Sequence, residues 1–375
     1  MLPSKDSDTF SIYVDLKDGS SKLQTKEVTR CISSKLQKNE FVTNISVFIG
    51  EGQPLDFAAM VKQSALKDKQ SQAEIMVNIK KAENRDITSY NLISNLREEI
   101  QTNCSLYDAN IKFIELPAGP PVLASIVAEI YGGKTFKARR EFSLKIANIL
   151  KEQTSLVDID IMADKDYIKY EIELDNNKII KSGISLEQIK NILYLAYEGM
   201  EIAVVNEEKA ENQIPIFLRL DDSRLLKSST KKSLESKLQT LKLVNNHGLM
   251  ISLSSFISIK EVIKEPTLTS KNLNMMINVI AETNKDSQIY PLLDARNQML
   301  EELGKEFIIT KTNMLNLSFK DKNTKEVFDL VFDGELKVTI DTFIDLGGAF
   351  IIALVLIFFL MVMYYKNFAL SGGIV

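Results

Sequence analysis

The sequence predicts an α+β protein. We read two ferredoxin-like βαββαβ units, the second interrupted by a small α+β lobe, followed by one transmembrane helix. Three observations carry this prediction. The order strand–helix–strand, strand–helix–strand occurs twice along the 375 residues, which is the split βαβ pattern in which two helices cover one face of a four-stranded sheet. The second occurrence breaks at its midpoint for residues 165–265. Residues 346–365, LGGAFIIALVLIFFLMVMYY, carry no charge and at 1.5 Å per residue span about 30 Å, the thickness of a bilayer's hydrocarbon core.

The first unit reads as follows. Residues 9–16 alternate and are rich in β-formers, a strand. Val28, Cys31, Ile32 and Leu36 mark one face of a helix over 21–38. Strands follow at 42–49 and 73–80, separated by an irregular stretch, 50–68, that holds Gly50, Gly52 and Pro54. Leu92, Ile93, Leu96 and Ile100 line a helix over 88–103, and 110–116 closes the unit as a strand. Then comes a joint. Pro117, Gly119, Pro120 and Pro121 break any helix and push the backbone extended before a strand over 125–131.

The second unit continues with a helix over 136–153, marked by Phe142, Ile146, Ile149 and Leu150, and a strand at 157–162. It resumes with a strand at 273–281, a helix over 287–303 and a closing strand at 313–320. In the interruption, 167–174 alternates as a strand, and Ser185-Leu186-Glu187-Gln188 fits a capping box that opens a helix ending near Gly199. Residues 202–205 and 214–220 read as strands of an exposed hairpin, 231–241 as a polar helix and 249–259 as strand-like. The resulting divisions are 1–118, then 119–164 with 266–333, the lobe 165–265, an interfacial helix 334–345, the membrane helix 346–365 and a short tail 366–375.

Composition excludes several function classes. The net charge is −4, and no basic patch with interleaved aromatics points to nucleic acid. His247 is the only histidine and is read as a turn residue, so histidine-based catalysis or metal binding is not expected. Cys31 and Cys104 leave a disulfide open, but two unpaired cysteines on helix faces are the expectation. Asp158, Asp160, Asp164 and Asp166 alternate along a strand and its end. A hard-cation site needs oxygens converging from a shaped loop, so a solvated acidic face is expected instead. Glu129 reads as the polar side of a half-buried strand. The Gly50–Pro54 stretch lacks the Lys-Ser/Thr pair of a phosphate loop. No nucleophile with a base partner can be assembled, so we expect neither an enzyme nor a cofactor. Asp341 and Asp345 before the span and Lys366 after it favour a cytoplasmic C-terminus and an exported bulk. Residues 1–8 are polar and acidic, without the apolar core region a signal peptide needs. Either the bulk stays cytosolic on a tail anchor, or an upstream membrane segment is missing.

The order of parts resembles the C-terminal extramembrane half of a resistance-nodulation-division (RND) efflux permease of the AcrB-type hydrophobe/amphiphile branch. Pro117 to Leu123 followed by Val127 to Gly132 is similar to "PPGPPV…VAEIYGPD" of that branch, with Ala118 for a glycine and Gly133 for the proline. GQPLDFAAM, 52–60, resembles "APFDFNGLV", and FIDLGGAFIIALV, 343–355, resembles "FRDLGAAFAVVLV" at the start of a membrane helix. The resemblance implies porter subdomains PC1 and PC2, with the lobe as a docking domain. It implies an inner-membrane homotrimer whose residues 1–340 are periplasmic, working with a periplasmic adaptor and an outer-membrane channel. Small amphiphilic compounds would leave by proton antiport through a PC1–PC2 cleft. The loop carrying Phe48, Gly50, Gly52, Pro54, Phe57 and Met60 would line and gate the substrate path, and Pro117, Gly119, Pro120 and Pro121 would be its hinge. The family's proton-relay residues sit in membrane helices that this sequence does not hold. We therefore read a partial permease, inactive without its missing half. The rival reading is a single-span, membrane-anchored binding or scaffold module built from ferredoxin-like domains.

Overall fold

The computed structural model describes residues 6–54, 57–62, 64–115, 122–208, 210, 212–220, 231–284 and 289–374, except the side chains of Phe57 and Ala58. The proposed hinge residues Pro117, Gly119, Pro120 and Pro121 lie outside the described residues.

The first unit runs β1 (Thr9–Asp15), α1 (Lys22–Leu36), β2 (Val42–Ile49), a short α2 (Phe57–Val61), β3 (Gln72–Ile79), α3 (Ser89–Cys104) and β4 (Asn110–Ile114). Its sheet has the order β2-β3-β1-β4, antiparallel throughout. That is the ferredoxin-like order, and it follows from the pattern. Phe10, Ile12 and Val14 alternate along β1 and are buried with Val28, Ile32 and Leu36 of α1 and Leu92, Leu96 and Ile100 of α3. Ser21 and Gln24 form a capping box that starts α1.

Cys31 and Cys104 are not unpaired, which corrects the expectation from the sequence. They form a disulfide between α1 and α3, Cα–Cα 5.7 Å, across 73 residues of chain. Each cysteine does lie on its helix's inner side. What sequence spacing could not reveal is that the two helices lie side by side over one sheet face.

The second half begins with β5 (Ile126–Gly132), α4 (Phe136–Lys151) and β6 (Leu156–Ile161). The chain then builds a separate compact lobe, Asp166–Glu265. It contains β7 (Ile168–Leu174), α5 (Asn176–Ser182), α6 (Leu186–Tyr197), β8 (Met200–Val205), β9 (Ile214–Leu218), α7 (Lys231–Thr240), β10 (Lys242–Val244), β11 (Met250–Ser252) and β12 (Ile257–Ile263). Strands pair as β7 with β12, β8 with β9 and β10 with β11. The Ser185–Gln188 capping box forms in full at the start of α6. Ile179, Ile189, Leu238, Leu253 and Phe256 make the lobe's own core.

The chain returns as β13 (Thr269–Lys271), β14 (Asn274–Thr283), α8 (Ile289–Glu306), β15 (Phe307–Thr312), β16 (Asn316–Asp321) and β17 (Val327–Asp333). The sheet order is β13-β14-β5-β17-β16-β15, with β6 also paired to β14. Within it β6-β14-β5-β17 repeats the order of the first sheet. The fourth place belongs to β17, not to the expected closing strand at 313–320, which forms β16 one position further out. The physical reason is that β15, β16 and β17 pair in succession as an antiparallel meander, so its last strand reaches β5; Phe328, Leu330 and Phe332 of β17 are buried, as are Leu317 and Phe319 of β16, and Phe142 and Phe328 stack at 4.6 Å.

Residues read as an interfacial helix and a membrane helix form one continuous α9 (Glu335–Tyr365). Leu336, Thr339 and Ile340 are buried at its start. Its apolar remainder is exposed, and among the described residues this helix alone is long and apolar enough to cross a membrane. Lys366, in the left-handed region, ends it. The segment read as a tail forms α10 (Phe368–Ile374), with Phe368 6.3 Å from Phe358 of α9.

Candidate functional site

The loop from β2 to β3 crosses the face of the first sheet that the helices leave open. Gly50 leaves β2 at φ 82°, a left-handed conformation open to glycine, and its N–H donates to Gln72 O at 2.8 Å. Gly52 approaches the loop's return limb so closely that a Cβ there would overlap the Ser64 carbonyl. The loop is held to the sheet by Glu74 of β3, which is fully buried. Ser64 Oγ donates to Glu74 Oε2, Gln53 N–H donates to it at 3.3 Å, and Lys67 Nζ lies 3.4 Å away. Lys67 also stacks over the Tyr13 ring, 3.0 Å from its centroid. Burial pushes the Lys67 amine down to about 8, against the pull of Glu74 and Asp15. Burial, with Glu74 close by, pushes the Tyr13 hydroxyl up.

The residues singled out in this loop take different places. Phe48 is half-buried in β2 opposite Glu74, Pro54 is exposed, and Met60 on α2 is 56% exposed. Phe57 opens α2, its side chain lying outside the described residues. Beneath the loop is a hollow of about 40 Å³, room for a few water molecules. Its walls include Phe10, Met76 and Ile114 from the sheet, Gln53 and Lys62 from the loop, and Glu115 just beyond β4.

Glu115 and Lys62 lead to the meeting of the two sheets. Among the described residues four ion pairs cross it: Lys62–Glu282 at 3.1 Å, Lys69–Asp164 at 2.5 Å, Arg97–Asp158 at 3.2 Å and Lys112–Asp160. Every cation belongs to the first unit and every anion to the second. The acidic run is therefore not a solvated face, as the sequence reading had it; of its four members only Asp166 is exposed. Alternation put Asp158 and Asp160 on one strand and Asp164 and Asp166 past its end, but Asp158, Asp160 and Asp164 meet three basic side chains, Arg97, Lys112 and Lys69, rather than water.

Local backbone aims Asp158. It sits at φ 53° where β6 bulges against β14, and a bulge redirects a side chain. The carboxylate accepts from Phe113 N–H at 3.0 Å, Gln101 Nε2 at 3.1 Å and Arg97. Burial raises its pKa, with Arg97 opposing. At Asp164 burial also pushes upward, but hydrogen bonds from Lys69 and Thr267 outweigh it and hold the carboxyl down at about 2. At Lys112 burial is outweighed by Asp15 and Asp160, which hold the ammonium form. Glu115 is pushed up to about 7 by burial, Arg97 and Lys62 pulling against Glu282 and Asp158.

Elsewhere, Glu129 is not on a half-buried polar side. It is 5% exposed, because Lys271 lies across it, 2.6 Å from Glu129 and 2.8 Å from Asp333. His247 lies exposed in a turn. No group of three or more His, Cys, Asp or Glu able to hold a metal occurs among the described residues. Sequence reasoning missed Lys62, Arg97, Glu115 and Glu282; none stands in a motif, and only the topology brings them together.

The comparisons fit this architecture. The model of the AcrB/AcrD/AcrF family matches residues 1–371. Two solved crystal forms of a heavy metal efflux pump share the fold. The first gives a TM-score of 0.68 at 15% identity, covering 99% of this chain and 35% of that one. The second gives 0.62 at 14%, covering 90% and 32%. The chain thus spans about a third of the length of those pumps. Compared with curated protein sequences it finds no match. With a family model spanning nearly its whole length and an efflux-pump fold over 99% of it, the chain belongs to the AcrB/AcrD/AcrF family of RND efflux permeases.

Proposed function

We propose that this chain supplies the substrate-cleft and docking half of a proton-driven efflux pump for small amphiphilic compounds. The observation that carries the proposal is the loop between β2 and β3. It roofs a partly apolar hollow and is tied to the second sheet by Lys62–Glu282 and Lys69–Asp164. A roof fixed to both sheets reports their separation, as a gate must. The two sheets stand for porter subdomains PC1 and PC2. The lobe stands for the docking domain, a reading supported by its β8–β9 hairpin, whose apolar Ile202, Val204, Ile216 and Phe217 are exposed.

In this proposal residues 1–340 are periplasmic and α9 lies in the inner membrane. The Cys31–Cys104 disulfide supports export, because disulfides persist in oxidising compartments. The assembly is a homotrimer with a periplasmic adaptor and an outer-membrane channel. Proton-relay helices come from outside these 375 residues, so the chain alone does not pump. The heavy metal named for the matched structures stays with those proteins. Here both cysteines are tied in a disulfide and the histidine lies in a turn, which leaves the thioethers of Met60 and Met76 as the soft groups at the loop and its hollow.

The test is accumulation of a small amphiphilic dye in the native cell. Deleting the chain raises accumulation and restoring it reverses the change. Unchanged dye levels, with altered tolerance of a heavy metal ion instead, would overturn the substrate reading.

A further inference from the structure

Three carboxylates and two cations converge where the sheets meet. Lys62 pairs with Glu282 at 3.1 Å and Arg97 with Asp158 at 3.2 Å, while Glu115 belongs to neither pair. The paired anions cannot swing away. Ser125 N–H donates to Glu282 at 3.1 Å, and Phe113 N–H fixes Asp158 at 3.0 Å. Glu115 follows β4 and lines the hollow beside Lys62. Ionised, the five groups carry one excess negative charge in a place largely withdrawn from water. With Glu115 protonated they balance.

We propose that Glu115 is the proton-responsive element of a clasp between the two sheets: its neutral form lets them close, and its ionised form drives them apart. The groups that face it are Arg97 on α3, Lys62 after α2, Asp158 on β6 and Glu282 on β14. In the closed form, burial holds the Glu115 carboxyl up at about 7. Parting the sheets admits water and returns it to the usual carboxylate range, about 4.3. The closed form therefore binds the proton more tightly. Closure gains as pH falls from about 7 toward about 4.3, roughly tenfold per unit, and is least favoured above about 7. The clasp lies outside the membrane helix, and it does not depend on what the pump exports.

The test uses the full chain in lipid nanodiscs. Spin labels go on Asn44→Cys in β2 and Lys137→Cys in α4, both exposed positions, one on each unit. The native cysteines are protected as a disulfide. Pulsed distance measurements at pH 5 and pH 8 are expected to show a short, single population at the lower pH. At the higher pH a longer one should appear, the ratio changing by at least about tenfold. Glu115→Gln holds the short distance at both values. Glu282→Gln leaves Lys62 free to favour ionised Glu115 and moves the midpoint to lower pH. The proposal is overturned if the wild-type distances do not respond to pH, if Glu115→Gln keeps the response, or if Glu282→Gln leaves the midpoint in place.

Discussion

Arg97 and Asp158 join helix α3 of the first unit to strand β6 of the second. Nη2 lies 3.2 Å from Oδ2, and the side chains keep 10% and 1% of their exposure. It is the least exposed of the four pairs crossing between the sheets, and all four run from cation to anion in the same sense. Removing one partner of a buried pair strands the other charge.

Arg97→Ala should therefore destabilise the chain by about 3–5 kcal/mol in urea unfolding. Combining it with Asp158→Asn, which leaves no stranded charge, should cost less than Arg97→Ala alone. A double variant at least as unstable as the single one would contradict this account of the pair.

Acid should loosen the same boundary at Asp164. Its folded pKa, about 2, lies below the unfolded value of 3.8. The contribution is thus fully present above about pH 4 and is lost as pH falls through 2, on the order of 1–2 kcal/mol after allowing for solvent screening. Asp164→Asn removes that part of the acid dependence, which unfolding free energies between pH 2 and 5 will show.

Gly52→Ala sets a methyl group against the Ser64 carbonyl. The return limb of the loop must move, at about 1–3 kcal/mol for such overpacking. Amide exchange over residues 64–72 should rise and export by the native assembly should fall; unchanged exchange and export would show that the loop's closeness is incidental.

Replacing both cysteines, Cys31→Ser with Cys104→Ser, should lower stability by about 2–5 kcal/mol. Protein isolated from the membrane without reductant should show no free thiol. Two titratable thiols in the unfolded chain would contradict an oxidising compartment.

Much of this fold was legible in the sequence because its signals are local. Phe10, Ile12 and Val14 alternate with polar neighbours, Leu92 and Leu96 repeat at helical spacing, and Ser185–Gln188 caps its helix as written. What failed was long-range pairing. Nothing near Cys31 announces Cys104, and nothing in Asp158-Ile159-Asp160 announces Arg97 and Lys112. The second sheet was misread where β17, the last strand of the β15-β16-β17 meander, takes the place beside β5; Leu317 and Phe319 of β16 are buried as fully as Phe328 and Phe332 of β17, so the local pattern does not rank the two strands. At the candidate site Gly50, Gly52 and Pro54 marked 50–68 as irregular, and only the resemblance gave that stretch a role. The groups facing the hollow, Lys62 and Glu115, are ordinary charged residues until burial changes their chemistry.

The most direct test of the central claim, that the two sheets are moving halves of an export cleft, is to fasten them together. Lys62→Cys with Glu282→Cys, joined by a short bifunctional thiol reagent, fixes the loop to the second sheet where Nζ and Oε1 now lie 3.1 Å apart. Dye export is measured in cells carrying the native assembly, in the same double variant before and after linking. Linking is expected to stop export, while each single cysteine, treated alike, continues to export. Export at the unlinked rate from fully linked protein would contradict it.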